Sequence, residues 1–280
     1  MIIKHFLILF FTFKNLYLKN KFDFKIKFIF TFKMAESTIL LLNENAEKLK
    51  ELFENPGLSL KKIFNNVYSV FIDGKEVNII VKCYDTKYHA LKEIDNLKKL
   101  QDHKSVPKIL TYGIGKKLKY VVMTKLKGKD LCDCMILKHF NENDIKNITK
   151  QLLNILKYLH EKNIVHCDIK PENIIYDKKT GKVSLIDFEG KSTTGYSSPE
   201  QIKGYSVTDK TDMWSLGVTL YTIFSRTALF KTKKQSLEKI IEFSDEFSSY
   251  EFIDFLQCLI QRDVSARYDV YDALEHIWLE

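Results

Sequence analysis

His166-Cys167-Asp168-Ile169-Lys170-Pro171-Glu172-Asn173 offers the Asp168 carboxylate, the Lys170 amine and the Asn173 amide, and a further carboxylate, Asp187, follows fourteen residues after Asn173. A carboxylate can take a proton from a hydroxyl, and an ammonium can neutralise charge on a phosphate. A carboxylate and an amide oxygen are hard ligands suited to Mg²⁺. These are the groups that phosphoryl transfer requires: an aligned nucleophile, an acceptor for its proton and neutralised phosphate charge. The string His-x-Asp-x-Lys-x-x-Asn, then Asp-Phe, bracketed by short apolar runs, is too specific for an ordinary polar loop.

The surrounding pattern supplies elements to hold it. Ile145, Ile148, Leu152, Ile155, Leu156 and Leu159 recur at helical spacing and end near His160, just before the polar segment. Val183–Ile186 is a short strand leading into Asp187 and Phe188. Further upstream, the chain reads as strands from Leu60 to Lys82. Val67–Ile72 is β-rich, Asp73-Gly74 offers a hairpin turn, and Val77–Val81 ends at Lys82. A helix is expected where Leu91, Ile94, Leu97 and Leu100 recur, with Glu93 on an adjoining face. Val106–Leu110 and Tyr120–Met123 read as two more strands, and Gly128 loosens the chain after them.

This order of elements and motifs resembles the eukaryotic-type protein kinase family, of serine/threonine type, over residues 58–280. The resemblance implies an α+β, bilobal kinase fold, with a small antiparallel N-lobe sheet bearing one helix and a larger, mainly helical C-lobe. The expected division is an extension at 1–33, a helical lead-in at 34–57, an N-lobe at 58–126 and a C-lobe at 127–280. It also implies ATP and Mg²⁺ as cofactors, with Mn²⁺ as an alternative, and a protein Ser/Thr hydroxyl as substrate. On that basis Asp168 orients the hydroxyl and accepts its proton, and Lys170 stabilises the transferred phosphate. Thr193 contacts them both, with Thr194 the next candidate. Asn173 and Asp187 hold the metal. Lys82 holds the α and β phosphates, and Glu93 holds the lysine. Val67, Ile80, Met123, Leu126 and Ile175 complete the cofactor-binding set. His166 and Phe188 join Leu97 and Ile109 as packing residues. Asp212 supports the catalytic-loop backbone, and Arg267 pairs with Glu200.

Four departures from the family pattern stand out. The phosphate-covering loop, in register over Leu60–Val67, keeps Phe64 and Val67 but has none of the three glycines. Glycine lets backbone approach phosphate closely; Asn65 is the next best residue for a positive φ, so a hairpin is still expected. Cys167 stands where many kinases carry the arginine that receives an activation-loop phosphate. Glu189 replaces the glycine after Asp187-Phe188. Asp187 to Glu200 spans only fourteen residues, short for this family. Cys167 and the short segment together suggest a minimal kinase not switched by its own activation loop. The alternative function is a pseudokinase, a scaffold or binding module with weak or no transfer; small-molecule phosphorylation is a third reading.

Composition narrows the partners. The chain carries a net charge of +8, but residues 1–33 hold seven lysines against one acid, Asp23, leaving the remainder nearly neutral. No nucleic-acid partner is expected on that ground. Residues 1–33 also contain nine of the twenty phenylalanines. Met34-Ala35-Glu36-Ser37 reads as a natural start preceded by translated upstream sequence; a disordered extension or a basic membrane anchor are the other readings. No membrane partner is expected unless 1–33 is such an anchor. Five cysteines without a paired framework point to a reducing compartment, cytoplasmic or nuclear, in a host cell if the source is viral.

Overall fold

The computed structural model describes residues 55–116, 118–243 and 248–280. The expected extension at 1–33 and nearly all of the lead-in at 34–57 lie outside the described residues. The chain divides into two compact units, one containing the described residues up to Ala90 together with Ile109–Lys125, the other Leu91–Lys108 with Leu126–Glu280.

The first unit is a five-stranded antiparallel sheet of β1 (Leu58–Phe64), β2 (Val67–Ile72), β3 (Lys75–Cys83), β4 (Ile109–Ile114) and β5 (Lys119–Thr124), ordered β1-β2-β3-β5-β4. Side chains alternate between its faces, because the strand repeat is two residues. Leu58, Tyr68, Val70, Val81, Cys83, Tyr120 and Val122 form a buried cluster. Val67 lies opposite Lys82, and Ile80 lies opposite both Ser69 and Met123, so these residues share the other face. The expected hairpin turn falls at Asp73-Gly74, both at positive φ. The strand expected at Val106–Leu110 begins later, at Ile109. Pro107 has no N–H to give a ladder, and Val106, itself buried, belongs to the second unit's segment Leu91–Lys108.

Helix α1 (Lys87–Lys99) begins in the first unit and continues into the second. Its buried positions are Ala90, Glu93, Ile94 and Leu97, the i, i+3, i+4, i+7 pattern of one helical face, while Leu91 is exposed. A strict three-residue spacing slips around a 3.6-residue helix, which is why Leu91 has rotated off the stripe. Glu93 therefore sits within the buried stripe, not beside it.

In the second unit, β6 (Lys129–Asp130), β7 (Ile174–Asp177) and β8 (Lys182–Leu185) form a small antiparallel sheet, with α2 (Leu131–Leu137) following β6. The expected long helix is α3 (Glu142–Glu161), started by a reciprocal capping box between Asn141 and Asp144. Its whole predicted stripe is buried. A short α4 (Pro199–Ile202) precedes α5 (Asp209–Ser225), which is buried almost all round. There Gly217 allows close packing, since a Cβ would lie 2.7 Å from Ile260 Cγ1. The chain ends through α6 (Lys233–Glu238), α7 (Tyr250–Leu259), α8 (Val270–Leu274) and a 3-10 turn at Ile277–Leu279. Trp278 stacks on Phe252 and donates from Nε1 to Glu142 at 2.8 Å, tying the end of the chain to the start of α3.

Candidate active site

The polar segment forms a loop between α3 and β7, closed by a 3-10 turn at Pro171–Asn173. Asp168 is buried. One of its carboxylate oxygens, Oδ2, receives Lys170 Nζ at 2.7 Å and Asn173 Nδ2 at 3.2 Å; Asn173 Nδ2 also donates to the Asp168 carbonyl at 2.8 Å. The other, Oδ1, is buried and accepts no hydrogen bond among the described residues. A buried carboxylate oxygen without a donor is costly, and it is the atom a substrate hydroxyl could satisfy. Lys170 Nζ donates at 2.6 Å to Thr193 Oγ1, whereas Thr194 is exposed. Of the two threonines, Thr193 is the one that contacts Lys170.

Asp187 follows β8, and the loop is joined to it through Ile186, whose N–H donates to the Asn173 carbonyl at 3.0 Å. His166 meets the same residue through Nε2 and Ile186 O at 3.0 Å, and its ring packs edge-on to Phe188 at 5.1 Å. Helix α1 holds the next step of chain: Phe188 N donates to Glu93 Oε1 at 3.4 Å, and Asn96 Nδ2 donates to Phe188 O at 2.9 Å. Glu189 is buried and paired with Lys191 Nζ at 3.1 Å. Besides Asp187, Gly190 takes left-handed backbone in this turn, at φ +71, one residue after the position where glycine is missing. A Cβ on Gly190 would meet Lys92 Nζ at 2.2 Å. Sequence reading stopped at Glu189 and missed that the glycine is displaced by one.

Two non-glycine residues here, Cys167 and Asp187, have φ +71. For such residues the left-handed region costs roughly 1–2 kcal/mol and persists where the surroundings over-determine it. At Cys167 the surroundings are visible. Asp212, fully buried on α5, accepts Cys167 N on Oδ1 at 2.8 Å, and on Oδ2 accepts His166 N at 2.9 Å and faces His160 Nε2 at 3.0 Å. Gln201 on α4 donates from Nε2 to the Cys167 carbonyl at 3.0 Å. Burial, with the nearby Asp212 charge, pushes the Cys167 thiol up to about 12, so it remains a neutral thiol. The Asp212 contacts match the sequence expectation, whereas the Gln201 contact has no counterpart in it.

Glu200 and Arg267 form a buried bidentate pair, at 2.7 and 3.1 Å, and Thr211 adds a hydrogen bond at 3.0 Å. Burial disfavours the Glu200 carboxylate, but the Arg267 hydrogen bonds and charge outweigh it and hold the group below the ordinary glutamate value. The remaining sequence candidates are dispersed. Val67, Ile80, Lys82 and Met123 share one face of the first sheet, where Lys82 Nζ lies 5.3 Å from the Tyr84 ring centre. Leu126 and Ile175 belong to the second unit, Ile175 on β7 opposite Ser184.

One further group of donors, Asp254, Cys258 and His276, comes within 4.8 Å. Trp278 N donates to His276 Nδ1 at 3.2 Å, so the ring proton sits on Nε2, which faces Asp254 Oδ2 at 3.2 Å. In that tautomer the imidazole has no lone pair left for a cation.

The sheet-bearing first unit, the helical second unit and the Asp168-centred loop define the kinase class. The protein kinase domain profile matches residues 62–279, and the chain belongs to that family. Serine/threonine-protein kinase dkf-2 of Caenorhabditis briggsae is 31% identical over 193 residues, 58% of this chain and 16% of that protein. Myosin light chain kinase A of Dictyostelium discoideum is 31% identical over 213 residues, 67% of this chain and 72% of that protein. The chain therefore spans a small part of the first relative and most of the second. Among solved structures, the Cydia pomonella granulovirus kinase PK-1 shares the fold, with a TM-score of 0.68 and 21% identity over 84% of this chain and 100% of that one.

Proposed function

We propose that this chain is a serine/threonine protein kinase that transfers the γ-phosphate of ATP to a protein hydroxyl, with Asp168 as base. The observation that carries the reading is the asymmetry of the Asp168 carboxylate. Lys170 and Asn173 hold Oδ2, while Oδ1 is buried and has no donor among the described residues. A Ser or Thr hydroxyl bonded to Oδ1 would be aligned and could lose its proton there. Lys170, bridging Asp168 and Thr193, places one positive charge where negative charge on a transferred phosphate would need it.

The donor set fits the implied Mg²⁺. Asn173 spends Nδ2 on Asp168, which leaves its amide oxygen for a cation, and Asp187 supplies a carboxylate. Bound Mg²⁺ would neutralise phosphate charge. Lys82 would hold the α and β phosphates, with Val67, Ile80 and Met123 on the same sheet face. Leu126 and Ile175 would add cofactor contacts from the second unit, and Glu93 would serve Lys82 by family analogy. Among the described residues no helix is long and apolar enough to cross a membrane, and all five cysteines are free thiols, in keeping with a reducing compartment.

A scaffold reading has one specific observation behind it. In the β1–β2 turn Leu60, Lys62 and Asn65 stand at the three places where family members present glycine backbone to phosphate. Transfer of labelled phosphate from Mg·ATP to a generic basic protein decides between the two. The kinase reading expects transfer by the wild type and its loss in Asp168→Asn and Lys82→Met. Equal inactivity of all three, with ATP still raising the melting temperature, would establish the scaffold.

A further inference from the structure

We infer that Gln201 is a positioning residue for Asp168, acting through the Cys167 peptide; this rests on the kinase reading above. Cys167 holds a left-handed backbone, with φ +71, immediately before Asp168. A residue in that conformation stays there only if its peptide groups are fixed from outside. Asp212 takes the Cys167 N–H at 2.8 Å, and Gln201 Nε2 donates to the Cys167 carbonyl at 3.0 Å. That carbonyl belongs to the peptide whose N–H is Asp168's own, and this N–H donates to His166 Nδ1 at 3.2 Å. The Cys167 side chain offers no ionic anchor, because its thiol is buried and neutral.

Gln201 has a second role, which makes the two separable. Its Oε1 accepts Ser198 N at 3.0 Å, closing the capping box of α4, while its Nε2 makes the bond to Cys167. One atom starts a helix and the other reaches across 34 residues to the catalytic loop. Glutamate at this place retains the acceptor, being the usual partner in a capping box, but loses the N–H donor. Leucine loses both.

Gln201→Glu and Gln201→Leu should each lower kcat about tenfold, the factor that corresponds to about 1.4 kcal/mol. KM for ATP should stay within about twofold in both. The deficit of Gln201→Glu should narrow as pH falls towards about 5, where a glutamate carboxyl begins to protonate and regains a donor; that of Gln201→Leu should not. Wild-type kcat in Gln201→Glu would reduce Gln201 to a helix cap and overturn the inference. Hydrogen exchange over residues 163–170 supplies a readout that needs no transfer. Faster exchange in both variants is expected, and wild-type protection in Gln201→Glu overturns the inference even if the protein transfers no phosphate. An inactive wild type would sink the kinase reading alone, leaving exchange to decide the role of Gln201.

Discussion

The catalytic loop and the β1–β2 hairpin are both short turns, yet they are built on opposite principles. In the loop, side chains do the holding: Asp212 and Gln201 fix the backbone at Cys167, while Lys170 and Asn173 fix the Asp168 carboxylate. In the hairpin, the strand ladder does it. Phe64 pairs with Val67, Asn65 takes φ +41, and the tip side chains of Ile63 and Phe64 stand in solvent. A turn held by side chains can store backbone strain at one reactive residue. A turn held by its ladder can change its tip residues freely. The departures from the family pattern fall accordingly: the loop keeps the family's polar residues Asp168, Lys170 and Asn173, and the hairpin has lost all three glycines.

The largest expected effect breaks the loop at its centre. Asp168→Asn should reduce transfer by about 10²–10⁴-fold, the range for losing a general base, without changing the ATP-dependent shift in melting temperature. A residual rate near wild type would show that the carboxylate is not the base. Next comes the pair that anchors α4 behind the loop. Arg267→Met leaves Glu200 buried without its partner and should cost about 3–5 kcal/mol of stability, read by denaturant unfolding. Because Glu200 is held below the ordinary glutamate value, its contribution is present above that value and is lost as pH falls through the lowered one. Glu200→Gln should therefore flatten the acid limb of the stability profile.

The hairpin should respond far less. Asn65→Gly relieves a positive φ and, by permitting closer backbone approach, should lower KM for ATP with kcat within about twofold; its stability should change by less than about 1 kcal/mol. A large fall in kcat would mean that the hairpin, too, is tuned for the chemical step. The smallest effect concerns reactivity. At pH 8, Cys132 is exposed and should be alkylated first, whereas burial pushes the Cys167 and Cys83 thiols up to about 12 and should protect them. Mass spectrometry of labelled peptides gives the order directly.

How far the sequence could be read follows the same divide. The loop was legible because its chemistry restricts residue types at fixed spacing: Asp168, Lys170, Asn173 and Thr193 come together within hydrogen-bonding distance. The Glu200–Arg267 and Asp212 contacts were legible for the same reason. Positions set by packing were less so. The three-residue leucine spacing misplaced the buried face of α1, and an apolar run hid the break that Pro107 imposes before β4. Gln201 carried no local signal, because its partner lies 34 residues away and the bond is to a backbone carbonyl. Gly190 did carry one, a glycine displaced by one residue, and its φ of +71 shows what it signified.

Whether the Asp168 loop transfers phosphate to Ser or Thr can be read from the product. Wild-type protein and Asp168→Asn would each be incubated with Mg·ATP and a mixed pool of Ser-, Thr- and Tyr-containing peptides, with phosphosites assigned by mass spectrometry. Phosphate is expected on Ser and Thr hydroxyls with wild type, and its near-complete loss with Asp168→Asn. Phosphate confined to Tyr, or equal signal from both proteins, would contradict this expectation.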